Sequence, residues 1–256
     1  MGRNRIEETS ALLMVSGLSK SFGGVRAVSG VSFELQEGEL LGIIGPNGSG
    51  KTTLVNLITG FLKPDAGRVI YRRRDITGRA PYKIVGLGIA RTFQMVRPFY
   101  QLPAYKNLVV PLYSPRVKAM AGGKYGERDS VALDLLEEVG FERDSYVSYK
   151  VASSLPQGYL KRLELAKSMA LRPDLLILDE LFSGLSLAEV ASIVPIIEKL
   201  RFQGKTIIMI EHRLKELFRI ADRIMVLNYG EKIAEGASDE VMESESVKKA
   251  YLGSET

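Results

Sequence analysis

The amino-acid sequence predicts an α/β protein with a parallel central sheet. Three short, solidly apolar runs carry this prediction, because a strand covered on both faces of a parallel sheet has no polar side. The runs are ELLGIIG ending at Gly45, DLLILDE ending at Glu180 and KTIIMIEH ending at His212. A helical pattern begins near Lys51, and a second one, over 187–204, separates the last two runs. This strand–helix–strand order implies parallel strands joined by right-handed crossovers.

Further strands are indicated nearer the two ends of the chain. Apolar and polar residues alternate in ALLMVSGLSKSF and VRAVSGVSFEL, a period typical of strands. RVIYRRRDITG has the pattern of an exposed strand and turn, and its arginines at 72–74 are interpreted as a solvated edge rather than a phosphate patch. RIMVLNYGEKIAEG is predicted to form a hairpin that turns at residues 228–230.

The stretch from about residue 95 to 172 has a different composition. Prolines and tyrosines cluster first, a polar part with Gly122 and Gly123 follows, and DSVALDLLEEVGF has a helical pattern. We interpret this stretch as a helical insertion in the α/β chain.

Composition narrows the class of protein. The chain has 256 residues, of which 45% are hydrophobic and 25% charged, as in ordinary globular proteins. It has no cysteine, which excludes disulfides and thiolate metal sites. No apolar run is long enough to cross a bilayer, and the N-terminal arginines lack the apolar segment of a secretory signal. Membrane contact is therefore expected through a partner or a surface, and the net charge of +5 is interpreted as a solvated face.

A glycine-rich loop with the pattern G-x-x-x-x-G-K-[ST] follows the first apolar run. Its glycines let several N–H groups turn toward one anion, and the following helix adds the positive end of its dipole. Lys51 is expected to reach the β- and γ-phosphates of a nucleotide, and the Thr52 hydroxyl to bind Mg²⁺. The nucleotide-binding candidates are Gly45, Pro46, Asn47, Gly48, Ser49, Gly50, Lys51, Thr52 and Thr53.

Acidic residues follow the second apolar run. Asp179 and Glu180 stand where a parallel strand ends, at the sheet edge where ligands bind. Asp179 is suited to hold Mg²⁺, directly or through water, and Glu180 to polarise an attacking water. Together with the phosphate loop, this pair predicts a nucleotide hydrolase.

Other candidates depend on their place in the chain. His212 is the only histidine, and the end of a central strand places it where an imidazole can bond phosphate and orient water. Gln94 ends the strand-like run IARTFQ, and its amide is suited to contact Mg²⁺ or the attacking water. Phe22 is either a ring that stacks on adenine or a core aromatic.

These motifs, in this order, resemble those of the ATP-binding subunits of ABC transporters over nearly the whole chain, from about Leu12 to Gly253. Gly45 to Thr53 match the Walker A loop, Leu175 to Asp179 match Walker B, and 183–186 fall at the D-loop. By the same resemblance Phe22 is the adenine-stacking aromatic, Gln94 the Q-loop glutamine, Glu180 the catalytic base and His212 the switch histidine. GIARTFQ, IEHRL and the terminal VKKAYLG resemble the branched-chain amino acid uptake branch, and lipopolysaccharide-export ATPases are the nearest alternative.

The resemblance implies a P-loop NTPase with a RecA-like core, an antiparallel β-subdomain and an inserted helical subdomain, within one ABC ATPase domain at 10–254. The core and β-subdomain are expected at 10–94 and 171–225, the helical subdomain at 95–170, and a hairpin and tail at 226–256. ATP and Mg²⁺ are the implied cofactors, with Thr52, Gln94 and Asp179 as metal ligands. The implied function is an ATPase that powers an importer, with ATP-driven dimer closure moving the membrane subunits. A lipopolysaccharide-export system and a soluble non-transport ABC ATPase are the alternatives.

The implied partners are transmembrane permease subunits, a second ATPase subunit and, indirectly, an extracytoplasmic binding protein. Nucleic acid is not expected, because the basic residues are not gathered in one block. The location implied is the cytoplasmic face of the membrane, reached through the permease. Direction of transport rests on the resemblance alone.

The signature loop of the family, which contacts the ATP of the opposite chain, departs from its usual L-S-G-G-Q. Its positions are occupied by Leu155, Pro156, Gln157, Gly158 and Tyr159. Proline offers neither a hydroxyl nor an N–H, whereas Gly158 keeps its N–H and a helix is expected from Tyr159 onward. A weakened loop of this kind predicts a heterodimer with one competent site, a homodimer being the alternative. In the D-loop, Leu181, Phe182 and Ser186 also depart from the pattern, at positions expected to contact the partner chain.

Overall fold

Two β-sheets form the framework of the protein. The structure is a computed structural model and describes residues 11–120 and 127–252. The strands are β1 (Leu13–Phe22), β2 (Val25–Leu35), β3 (Leu40–Ile44), β4 (Ala66–Tyr71), β5 (Arg74–Asp75), β6 (Ile89–Arg91), β7 (Leu175–Asp179), β8 (Thr206–Ile210), β9 (Arg223–Asn228) and β10 (Glu231–Gly236). One sheet has the order β2-β1-β4-β5 and the other β10-β9-β3-β8-β7-β6.

The six-stranded sheet is parallel except for β10, its antiparallel edge. At its centre Gly42 of β3 pairs with Met209 of β8 and with Ile224 of β9. Every residue of β3, β7 and β8 is buried, as the apolar runs predict. The α/β fold with a parallel core sheet is therefore confirmed, and the carboxyl ends of these strands meet at one edge.

The four-stranded sheet is antiparallel, with Leu13 opposite Leu35 on one side and opposite Tyr71 on the other. The turn after β4 places Arg72 and Arg73 at positive φ, which L-residues rarely adopt. The Arg72 side chain is about half exposed and pairs with Glu37 and Asp174. This agrees with an exposed strand edge rather than a phosphate patch.

The helices lie outside the sheets, and those between β6 and β7 form the inserted helical part. The helices are α1 (Lys51–Ile58), α2 (Pro81–Leu87), α3 (Val109–Leu112), α4 (Pro115–Met120), α5 (Arg128–Glu138), α6 (Gln157–Ala170), α7 (Leu187–Phe202), α8 (Leu214–Ile220), α9 (Ser238–Glu243) and α10 (Glu245–Leu252). In the parts of the chain described, no helix is both long and apolar enough to span a bilayer.

Alternate residues of the central strands feed two apolar cores. Leu41 and Ile43 point into a core shared with α1 and the antiparallel sheet, whereas Leu40 and Ile44 point into a core shared with the helical part. Because side chains alternate along a strand, each central strand connects the two cores. The carboxyl ends of these strands, between the two cores, carry the loops described below.

Three expectations need correction or qualification. The helix after the signature loop begins at Gln157 and not at Tyr159, because Pro156 already serves as its N-cap. The boundary expected at residue 226 falls inside β9, which pairs with β3, so the hairpin belongs to the core sheet. Gly122 and Gly123 lie outside the described residues, as do the expected domain ends at 10, 253 and 254 and the predicted tail beyond 252.

Candidate nucleotide-hydrolysis site

The phosphate loop connects β3 to α1 at the carboxyl edge of the central sheet. Gly45, Gly48 and Gly50 have φ angles of 152°, 78° and 102°. A Cβ on Gly45 would lie 2.1 Å from the carbonyl oxygen of Leu227, and one on Gly50 would lie 2.3 Å from that of Ala27. Glycine is therefore required at both places by backbone angle and by space. Residues 47–53 of the loop, together with Ala27 and Glu180, line a cavity of about 180 Å³.

The Lys51 ammonium is hydrogen-bonded to the backbone of its own loop. It donates to the carbonyl oxygens of Gly45 at 2.7 Å and Pro46 at 3.0 Å, and the side chain is buried. Burial lowers the pKa of Lys51, whereas the charges of Glu180 and Asp179 raise it. A phosphate would meet a partly desolvated cation here, which strengthens the attraction.

The carboxylate of Asp179 is held by Arg91, a residue that sequence reasoning missed. Arg91 Nη2 lies 2.6 Å from Asp179 Oδ2, and both side chains are less than a tenth exposed. Arg91 Nη1 donates to Asn56 Oδ1 at 2.6 Å, and its guanidinium lies against the rings of Phe61 and Phe93. The signal in the sequence was an arginine on a strand that pairs with the strand of Asp179.

Glu180 is brought together with the two other catalytic candidates. Gln94 Nε2 donates to Glu180 Oε2 at 2.6 Å, and His212 Nε2 lies 3.1 Å from Glu180 Oε1. Glu180 itself has φ 49°, a left-handed conformation that glutamate rarely adopts. Backbone strain of this kind persists only where the surrounding structure holds it, and it is common at functional sites.

Two buried charged residues behind this group were not predicted. Lys161 of α6, 1% exposed, donates to the carbonyl oxygens of Gln94 at 2.9 Å and Glu180 at 3.1 Å. Glu211 accepts the Phe182 N–H at 2.8 Å, and burial raises its pKa to about 8. The signals were a lysine on the core-facing side of an amphipathic helix and an acid directly after a buried strand.

Thr52, Gln94 and Asp179 line one cavity of about 490 Å³ beside the phosphate loop. All three offer oxygen atoms, which are the ligands that Mg²⁺ prefers, and Mg²⁺ is commonly held by one or two carboxylates together with nucleotide phosphates. The residues present therefore fit this ion. Phe22 lies apart from the phosphate loop's cavity, at the end of β1, with its ring 47% exposed.

The signature positions lie at the start of α6 and do not line the cavity of the phosphate loop. Leu155 is buried, Pro156 and Gln157 are exposed, and the Tyr159 ring packs on Phe141 at 5.0 Å within the helical part. Gly158 lies against an acid of its own chain, since a Cβ there would be 2.6 Å from Glu189 Oε1.

Hydrogen bonds from Ser186 and from the Gly158 backbone lower the pKa of Glu189. The N–H that was expected to be free for phosphate therefore faces a carboxylate in this conformation. Ser186 also N-caps α7, in a capping box with Glu189.

Leu181 and Phe182 were expected at the contact with a partner chain, and this was wrong for their side chains. Each is 1% exposed, in the apolar core between β7 and α7. The large apolar side chains that depart from the D-loop pattern at these two positions are buried inside the chain, so they are core residues.

The fold and the site define a P-loop ATPase: a phosphate loop, an acidic pair on the neighbouring strand and an inserted helical part. The sequence model of the ABC transporter family matches residues 28–183, which is more than half of the chain, and the chain belongs to that family as an ATP-binding, ATP-hydrolysing subunit. Proteins of this family work as dimers with membrane permease subunits.

Similar proteins cover nearly the whole chain. The high-affinity branched-chain amino acid transport ATP-binding protein LivG of Salmonella typhimurium is 38% identical over an alignment 252 residues long, and the match covers 94% of this chain and 98% of that protein. BraF of Pseudomonas aeruginosa, which has the same description, is 36% identical with the same coverage. The ADP conformation of MJ1267, an ATP-binding cassette of an ABC transporter, has a TM-score of 0.83 at 32% identity and covers 96% of this chain and 100% of that chain.

Proposed function

We propose that this chain is the energy-coupling ATPase of an importer for branched-chain or related amino acids. The observation that carries the ATPase assignment is the group formed by Gln94, Glu180 and His212, of which Glu180 lines the cavity of the phosphate loop. The likeness to LivG and BraF over nearly their full length supports the cargo class. Domain limits of 10–254, with the helical subdomain at 95–170, are part of the same proposal.

Each residue of the site has a role that follows from its position. Lys51 and the loop N–H groups hold the phosphates, and Glu180 accepts a proton from the attacking water, which His212 helps to orient. Thr52, Gln94 and Asp179 would hold Mg²⁺, which would supply neutralisation of the charge on the phosphates. Phe22, exposed at the end of β1, stacks on the adenine.

Dimerisation would bring a partner's signature loop to this site and this chain's altered loop to the partner's ATP. Pro156 has neither an N–H nor a hydroxyl, and the N–H of Gly158 faces Glu189. Each missing charge-assisted hydrogen bond weakens the second site by about 1.5–3 kcal/mol. We therefore propose a heterodimer in which the partner's intact signature loop completes the site of this chain.

Contact with the permease is proposed at the segment after β6, where several large apolar side chains are 38% or more exposed. These are Phe93, Met95, Phe99, Tyr100 and Val110. Exposed apolar clusters of this kind mark protein interfaces. The chain would be attached there to the cytoplasmic face of the membrane, and an extracytoplasmic binding protein would act only through the permease.

The central test is Glu180→Gln in the assembled transporter. Loss of the proton acceptor should abolish ATP turnover while ATP still binds, so the variant should retain ATP in a closed dimer. Glu231→Gln, at an exposed carboxyl on β10, is the matched control and should hydrolyse ATP normally. Unchanged ATP turnover in the Glu180 variant would falsify the role assigned to this carboxylate.

The heterodimer and the cargo are tested separately. Mutation of the catalytic glutamate in this chain should stop turnover, whereas the same change in the second ATPase should slow it little, and equal losses would contradict the asymmetry. The complete transporter in proteoliposomes should take up labelled leucine when ATP is present on the ATPase side. Uptake of none of the branched-chain amino acids would remove the cargo assignment and leave the ATPase assignment intact.

A further inference from the structure

Lys161 lies in the first turns of α6, the helix that begins at the signature loop, and it is almost completely buried. Its ammonium group donates to two backbone carbonyl oxygens, that of Gln94 at 2.9 Å and that of Glu180 at 3.1 Å. The side chains of these two residues are themselves joined at 2.6 Å. One lysine therefore contacts the backbone behind both members of a hydrogen-bonded pair at the proposed reaction centre.

Burying an ammonium group costs free energy, because the charge loses its hydration, so its hydrogen bonds must compensate for this cost. Desolvation lowers the pKa of Lys161, and the charges of Glu211, Glu180, Asp179 and Glu164 raise it. Asp179 ends β7, Glu180 and Glu211 directly follow β7 and β8, and Glu164 lies on α6 itself. A methionine would fill a similar volume without the cost of desolvation, but it would donate no hydrogen bond.

The backbone of Glu180 is held on both sides. Its N–H donates to the carbonyl oxygen of Ile210 on β8 at 2.9 Å, and its own carbonyl oxygen accepts from the Lys161 ammonium and from the Ser183 N–H, each at 3.1 Å. Held by these bonds, the residue has the left-handed φ of 49°. An unfavourable conformation persists only when its surroundings determine it, and Lys161 supplies one of the three hydrogen bonds to this backbone, the only one of them that comes from a side chain.

We propose that Lys161 is a positioning residue that couples the signature helix of this chain to the chain's own Gln94–Glu180 pair. Lys161 lies four residues after the start of α6, about 6 Å along the helix axis. A displacement of α6 when its N-terminus engages the partner's ATP would move the ammonium and, through it, the backbone of Glu180. Engagement at one ATP would thus adjust the base that acts on the other. This inference rests on the proposed function.

The test compares Lys161→Met with Lys161→Arg in the assembled transporter. The methionine variant should bind ATP with unchanged KM, because Lys51 and the phosphate loop are intact, while kcat falls at least tenfold. The Hill coefficient for ATP should fall toward one. Arginine keeps a cation and several N–H donors and should restore part of kcat and of the cooperativity. Lys199→Met, at an exposed lysine of α7 with the same change of charge, should match the wild type.

Several outcomes would overturn the proposal. A methionine variant with kcat within twofold of the wild type would do so. So would a variant in which both kcat and KM change and the unfolding midpoint falls, since that pattern describes a purely structural lysine. If the methionine variant does not fold, Lys161→Gln, whose side chain is too short to reach both carbonyl oxygens, is judged by the same criteria. ATP hydrolysis by the wild type and by the Glu180→Gln variant is measured alongside. If the wild type hydrolyses ATP and the Glu180 variant does not, the proposed function holds even where the role of Lys161 is refuted.

Discussion

Glu211 makes the stability of this protein depend on pH in a direction that can be worked out. Its side chain is buried directly after β8, and burial raises its pKa from 4.5 to about 8. Between these two pH values the folded state holds a proton that the unfolded state has released. Stability contributed by this proton is therefore fully present below about pH 4.5 and is lost as the pH rises toward about 8.

Glu211→Gln should remove this dependence. A shift from 4.5 to about 8 corresponds to about 5 kcal/mol over the whole window. Between about pH 6 and about pH 9 the wild type should lose about 3 kcal/mol of unfolding free energy from this group, whereas a glutamine loses none. The amide oxygen of glutamine can still accept the Phe182 N–H, so the hydrogen bond to Oε1 is kept.

Urea unfolding of both proteins at several pH values provides the measurement. The difference in unfolding free energy between the glutamine variant and the wild type should increase with pH by about 3 kcal/mol, because other titrating groups are common to both. Glu231→Gln, at an exposed carboxyl, should show no comparable growth. A difference that stays constant from pH 6 to pH 9 would refute the reasoning.

Two further substitutions test the loop and its neighbour. Gly45→Ala should weaken nucleotide binding at least tenfold in a fluorescent-nucleotide titration, because its Cβ would lie 2.1 Å from the Leu227 carbonyl oxygen and the loop must shift. Unchanged nucleotide affinity would show that the phosphate loop can shift to accept this Cβ without losing its binding geometry. Arg91→Met should lower the free energy of unfolding by about 3–5 kcal/mol in urea, because Asp179 is left buried without its cation. A loss below about 1 kcal/mol would mean that solvent reaches this carboxylate.

Much of the fold follows from local patterns. Solid apolar runs identified β3, β7 and β8, and alternation identified β1 and β2, because burial on both faces or on one face leaves its mark on consecutive residues. The hairpin of β9 and β10 was also predicted, but its place beside β3 was not. Strand order depends on pairings between distant segments, and a single sequence does not encode these as a local pattern.

The candidate site divides in the same way. Glycine spacing located the phosphate loop, and strand ends located Glu180 and His212 near each other, since parallel strands end at one edge. Arg91, which is 88 positions from Asp179, and Lys161, which is 67 positions from Gln94, left only weak signals. The partners and burial of such charged residues come from segments far away in the sequence, so they are known only from the folded structure.

By itself, therefore, the sequence determined the nature of the loop, the order of the elements and the identity of the groups that face a nucleotide. Each of these depends on residue type and on short spacing along the chain. The tertiary structure decided which groups hold the reactive ones. Arg91 forms an ion pair with Asp179, Lys161 donates a hydrogen bond to the backbone of Glu180, and Glu189 faces the N–H of Gly158. These contacts join separate elements: Arg91 and Asp179 lie on the paired strands β6 and β7, whereas the contacts of Lys161 and Glu189 depend on how α6 packs beside the sheet and α7.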